Sequence, residues 1–224
     1  MMKKNGFTLA EVLITLAIIG VVATLTLPAL MTNTNEQQSI AGLKKGINTL
    51  TEAAQMNSAL EGFDYSGLVN TEKKTTDEVG NAQQSLYGLI TTRASVDVGK
   101  SGTGKGWRQN GSSNTTNFVI YFRDGACISF NPAATSTVIT SSHGSVAKDG
   151  IKIVYDVNGN KSPNILSNCA KKPAGQANDI AQGSNKLEDV CVKENRVIKD
   201  QFGVVLTGGY ALPNGPAARW AVAQ

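Results

Sequence analysis

Four stretches of this 224-residue chain hold residue types whose spacing suits chemistry. Gly99, Gly104 and Lys105 fit the phosphate-cradling string G-x-x-x-x-G-K. Gly106 stands where a Ser or Thr would ligate magnesium, however, and the "GWRQNGSSNTTN" that follows is a poor helix, whereas a phosphate loop must open one. The string reads as a surface loop. Asp156, Asn158 and Asn160 match the first ligands of a calcium loop. Gly159 falls one place after the second ligand and no glutamate follows at the ligating distance, so these residues read as a polar hairpin turn. His143, in "TSSHGS", is the single histidine, so any Ser-His-Asp or Cys-His site must use it. Nothing places a nucleophile beside it, and it reads as an exposed loop residue. Cys127, Cys169 and Cys191 form no C-x-x-C pair and are too few and too widely spaced for structural zinc. Trp107 and Trp220 read as packing residues. No catalytic residue, no metal ligand and no cofactor is therefore assigned.

The cysteines fit one disulfide and one remaining thiol in an oxidising compartment. Cys169 and Cys191 flank a loop-like stretch, and closing that loop stabilises by roughly 3 kcal/mol on the chain-entropy view. Cys127 with Cys169 stays open as the other pairing; Cys127 itself reads as a core thiol or a disulfide partner. Charged residues make up 17% of the chain, below the roughly 25% of a typical soluble domain. Glycine, serine, threonine and asparagine are frequent, a balance suited to short strands and loops outside the cytoplasm. The net charge is +4 and falls to +2 if Lys3 and Lys4 are removed, which gives nucleic acid little support as a partner.

One further acid stands out. The opening "MMKKNGFTLAEVLITLAIIGVVATLTLPAL" places Glu11 just inside a long apolar run, and Val12 to Asn35 carries no charge. About 20 residues cross a bilayer core as a helix. Lys3 and Lys4 before the run predict a cytoplasmic N-terminus. A carboxylate at the centre of such a helix costs roughly 2.5–3.5 kcal/mol on insertion scales, so a plain anchor leaves Glu11 unexplained. A secretory signal would close on a small-residue cleavage site, which "LPALMTN" matches poorly.

The stretch "KKNGFTLAEVLITLAIIGVVATLTLPAL" resembles the class III signal of type IV pilins and type II secretion pseudopilins. The resemblance implies cutting by a prepilin peptidase between Gly6 and Phe7, followed by N-methylation of Phe7. Glu11, fifth from that junction, matches the family's glutamate. Gly20 and Pro28 match its helix-weakening glycine and proline. Cutting frees an amine at Phe7 four residues from Glu11, on the same helix face. A paired charge inside an apolar bundle is tolerable and an unpaired one is not. The implied partners are the peptidase, sister pilins or pseudopilins in a homo- or heteropolymeric filament, an inner-membrane assembly platform and the membrane itself. The implied location is the bacterial inner membrane, with the head extracytoplasmic, and a periplasmic or surface filament after assembly. A reading from another class keeps the anchor and drops the filament: a membrane-tethered extracytoplasmic binding or adhesion domain.

The elements that must position these residues follow from periodicity. Ile40, Leu43, Ile47, Leu50 and Ala54 recur at helical spacing, with Glu36, Gln37, Lys44, Lys45 and Glu52 opposite. One helix is predicted from about Thr8 to Leu60, roughly 80 Å long, kinked or locally unwound at Pro28. Leu86, Leu89 and Ile90 mark a short helix. "NFVIYF" and "CISF" read as a hairpin about Asp124–Gly125, "STVITSS" adds a strand, and Ile151 to Val157 runs into an Asn158–Gly159 turn. "QFGVVLTGG" is a late strand and "YALPNGPAARWAVAQ" a final loop or short edge. The expectation is α+β: a leader at 1–6, a membrane or filament-core segment at 7–31, an amphipathic segment at 32–60, and a head at 61–224 in which three to five antiparallel strands pack on the helix.

Overall fold

The structure is a computed structural model and describes residues 6–68, 85–110, 112–113, 115–131, 137–138, 149–169, 191 and 196–224. His143 lies outside these residues. Helix α1 (Leu9–Glu61) holds Pro28 in its interior, and its bounds fall within one residue of those read from periodicity. Two compact units divide the chain: Met1–Gln38, and Ser39–Gln224.

The second unit begins with the last turns of α1. A single 3-10 turn follows at Tyr65–Gly67, then α2 (Leu86–Arg93). The strands are β1 (Gly102–Thr103), β2 (Arg108–Gln109), β3 (Ser112–Ser113), β4 (Phe118–Tyr121), β5 (Cys127–Phe130), β6 (Thr137–Val138), β7 (Asp149–Asp156), β8 (Asn168–Cys169), β9 (Arg196–Val197), β10 (Gln201–Thr207) and β11 (Tyr210–Pro213). Helix α3 (Pro216–Ala223) closes the chain. Six strands form one antiparallel path, β1-β4-β5-β7-β10-β11, and β6 pairs with β7 beside it. The sheet is wider than the three to five strands expected, because two-residue strands such as β1 leave no periodic signal. The β4–β5 hairpin forms where the Asp124–Gly125 turn places it, with Phe118 opposite Phe130.

Alternation sorts the strand residues onto two faces. Phe118, Ile120, Ile128, Phe130, Ile153, Tyr155, Phe202 and Val204 join Ile40, Leu43, Leu50 and Ala54 of α1 in the main core. Gly42 and Gly46 explain how closely helix and sheet approach. A methyl group on Gly42 would stand 2.8 Å from Val157 Cβ, and one on Gly46 would run into the Tyr155 ring. On the other face, Trp107, Val119 and Cys127 form a smaller cluster with Tyr121 and Val154.

Helix α2 forms where Leu86, Leu89 and Ile90 mark it, all three buried, and the Ser85 side chain accepts from the Gly88 amide to cap it. The C-terminus departs from expectation in part. β11 is the short edge strand, but the residues after it are helical rather than loop. Pro216 begins α3 after Gly215, where its fixed φ suits the first helical position. Ala217, Ala218 and Ala221 are buried, and the Arg196 guanidinium lies 3.7 Å from the Trp220 ring centroid. Of the two disulfide pairings left open, Cys169–Cys191 forms, with Cα atoms 5.3 Å apart, and Cys127 is a buried free thiol.

Candidate functional site

At the start of α1, Thr8 and Glu11 form a reciprocal cap. The Thr8 amide and hydroxyl each donate to Glu11 Oε2 at 2.8 Å, and the Glu11 amide donates to Thr8 Oγ1 at 3.2 Å. This is a capping box, in which two otherwise orphaned helix donors find partners. The T-x-x-E string that signals it was present in the sequence, and Thr8 is the functional residue that the charge argument about Glu11 passed over. Phe7, just before the box, is 89% exposed.

The apolar run after Glu11 finds no cover within its own chain. Leu13, Ile14, Leu16, Ile18, Ile19 and Val22 are all exposed, on every side of the helix. A methyl group at Gly20 would meet nothing within 4 Å. The threonines in the run satisfy themselves. Thr15 donates to the Val12 carbonyl, Thr24 to Val21, Thr26 to Val22 and Thr34 to Leu30, at 2.9, 2.9, 3.0 and 2.9 Å. A hydroxyl bonded to its own helix needs no water, which suits lipid or a packed bundle. Helix α1 is long and apolar enough to cross a membrane.

The other sequence candidates lie elsewhere. Gly99 and Lys100 sit in a turn, and Gly102 opens β1 rather than a helix, so the G-x-x-x-x-G-K string presents no helix N-terminus to a phosphate. The turn after β7 is more substantial than expected. Asp156 is fully buried; its Oδ1 accepts from the Asn158 amide at 3.1 Å and its Oδ2 from Gln201 Nε2 at 2.9 Å. Gln201 Nε2 also donates to the Arg108 carbonyl at 2.7 Å. Asp200 is buried beside it. Its Oδ2 accepts from the Asn164 amide at 2.7 Å and from Asn158 Nδ2 at 3.3 Å, and its Oδ1 from the Ile165 amide at 2.9 Å. Burial first, and then the Asp200 charge, push the Asp156 carboxyl up to about 7, against the pull of Gln201. Burial likewise holds the Cys127 thiol well above its usual range. Asn160, the third residue of the presumed calcium string, is exposed. Among the described residues, no three His, Cys, Asp or Glu side chains come together to hold a metal. Sequence reasoning missed Asp200 and Gln201, which lie more than 40 positions from Asp156 and reach it only through the β7–β10 pairing of Asp156 with Gln201.

A long N-terminal helix followed by an antiparallel sheet gives this protein an α+β, pilin-like architecture. Residues 1–27 match the family described as the prokaryotic N-terminal methylation motif, which is characteristic of type IV pilins and pseudopilins. The match covers the basic leader, Gly6, Phe7, Glu11 and Gly20, and ends just before Pro28. No curated protein and no solved structure matches the chain.

Proposed function

We propose that this protein is a structural subunit, a pilin or pseudopilin, of a type IV pilus-like or type II secretion filament. In this reading a prepilin peptidase cuts between Gly6 and Phe7, and Phe7 is then N-methylated. The apolar part of α1 holds the precursor in the inner membrane, single-pass, with its N-terminus cytoplasmic and its head outside. The same surface becomes the filament core when it packs on sister subunits at the assembly platform. The role is architectural rather than enzymatic. The observation that carries this reading is the methylation motif at residues 1–27, followed by a helix whose apolar side chains are exposed on every side.

Glu11 has two successive tasks in this mechanism. In the uncut chain it caps its own helix through Thr8. After cutting, the amine of Phe7 supplies a cation that the carboxylate can meet, on its own chain or on the next subunit. A compensated pair is tolerable in an apolar bundle where a lone carboxylate is not. Gly20 and Pro28 are proposed as the places where the helix yields during packing, because glycine carries no side chain and proline removes one backbone bond.

The test is the intact mass of the mature protein together with its co-purifying partners. A chain starting at methylated Phe7, captured with other pilins in a Glu11-dependent manner, is the expected result. An intact Met1 overturns the processing step. A processed chain whose partner capture is unchanged by Glu11→Ala overturns the assembly role and leaves the membrane-tethered binding domain as the better description.

A further inference from the structure

The turn after β7 and the start of β10 bury more acceptors than donors. Asp156 and Gln201 are 0% exposed, and Asn164 and Asp200 are 3% exposed. Three amide oxygens in this cluster are buried without a hydrogen-bond partner: Asn158 Oδ1, Asn164 Oδ1 and Gln201 Oε1. Each belongs to a residue that already touches a carboxylate. Gln201 holds Asp156 Oδ2 through the nitrogen of the same amide, Asn158 holds Asp200 Oδ2 through its Nδ2, and Asn164 holds it through its backbone amide. No ion pair among the described residues involves Asp156 or Asp200.

Turning the amides over does not remove the surplus. A flipped Gln201 would aim its oxygen at both the Arg108 carbonyl and Asp156, and a flipped Asn158 would aim its oxygen at Asp200. Two buried carboxylates and three orphan amide oxygens, drawn from one turn and one strand start, share a single deficit: a positive centre. Each carboxylate oxygen offers about two acceptor directions, so the N–H bonds already made leave capacity for another ligand.

We propose that Asp156, Asn158, Asn164, Asp200 and Gln201 form a binding site for a hard divalent cation of the calcium class. The donors are all oxygen, two carboxylates and three amides, which is the chemistry that calcium prefers. Soft and borderline metals want thiolate or imidazole; the one nearby sulfur, Cys127, lies opposite Asp156 in the sheet and is held as a thiol by its burial. Magnesium keeps several waters and a strict octahedron, which a buried set of amide oxygens serves poorly. A cation here would clamp the turn after β7 to the first residues of β10, joining the two most extensively paired strands of the head.

The test uses the full chain in detergent micelles, stripped with chelator, and reads the melting temperature of the head and terbium luminescence sensitised by Trp107. Calcium at 100-fold excess over its Kd is expected to raise the melting temperature by roughly 5–10 °C relative to sodium chloride of matched ionic strength, and equimolar magnesium to raise it less than half as far. Asp200→Asn is expected to abolish the response. Asn164→Gly removes one oxygen, touches neither carboxylate, and keeps a residue that tolerates the positive φ of 51° at this position. It should weaken calcium at least tenfold in competition with terbium, and it decides the matter if Asp200→Asn does not fold. A wild-type melting temperature that ignores calcium, an equal response to magnesium, or wild-type affinity in Asn164→Gly overturns the proposal.

Discussion

Between Leu9 and Gln38, α1 leaves Leu13, Leu16, Ile18 and Ile19 exposed, and no charged side chain follows Glu11 until Glu36. Between Ser39 and Glu61 the same helix buries Ile40, Leu43, Leu50 and Ala54 against the sheet and turns Lys45, Glu52 and Met56 outward. The contrast shows what apolar content alone does not decide. The second stretch is amphipathic, so its own chain completes it. The first is apolar all round, and one protomer has no surface that could cover it; only lipid or neighbouring helices can. The glycines follow the same division. Gly20 meets open space, whereas Gly42 and Gly46 let a sheet come within reach of the helix backbone.

If the division holds, matched substitutions in the two stretches move different observables. The largest effect is expected from Glu11→Ala, which should reduce co-assembly with sister subunits more than tenfold and leave the melting temperature of the head unchanged; a shift in the head's melting would blur the division. Leu50→Ala should cost the head about 2–5 kcal/mol in denaturant unfolding, because it opens a cavity in a fully buried position. Leu16→Ala, at an exposed site, should cost the head nothing measurable. Gly46→Ala should destabilise by about 1–3 kcal/mol through overpacking against Tyr155, while Gly20→Ala leaves the head as it was.

The polar cluster supplies a pH dependence within the head. Asp156 holds its proton to about pH 7 when folded, against an unfolded value near 3.8. The folded state therefore binds more protons than the unfolded state between those values, and this residue's contribution to stability falls as pH rises from about 4 to 7. In the presence of chelator, Asp156→Asn should flatten that slope in melting experiments; an unchanged slope would assign it to another group. The smallest effect is expected from Lys45→Ala. Lys45 pairs with Asp124 at 2.7 Å, but both side chains are largely solvated, so the loss should be below about 1 kcal/mol and should fade with salt.

What was legible in the sequence followed the reach of each signal. The bounds of α1, the burial of its 40–54 stripe and the Asp124–Gly125 hairpin depend on neighbours within a few residues, and local pattern carried them. The Thr8–Glu11 cap and the Gly215–Pro216 start of α3 were equally local. Their strings, T-x-x-E and G-P, stood in plain view and gave way to the charge argument and to the turn reading of "LPNGP". The buried network was of another kind. Asp156 and Asn158 read as a solvated turn because nothing near them announces that Asp200 and Gln201 will be folded against them.

The sequence by itself determined the processing and methylation motif, the membrane-length run, the amphipathic stripe and the α+β class, because charge order and apolar period are properties of adjacent residues. Only the tertiary structure decided that Cys169 joins Cys191, that Gly42 and Gly46 face Val157 and Tyr155, and that two aspartates share a buried site with three orphan amide oxygens. Each of these depends on strands distant in the chain, and such contacts are fixed by packing and register rather than by local preference.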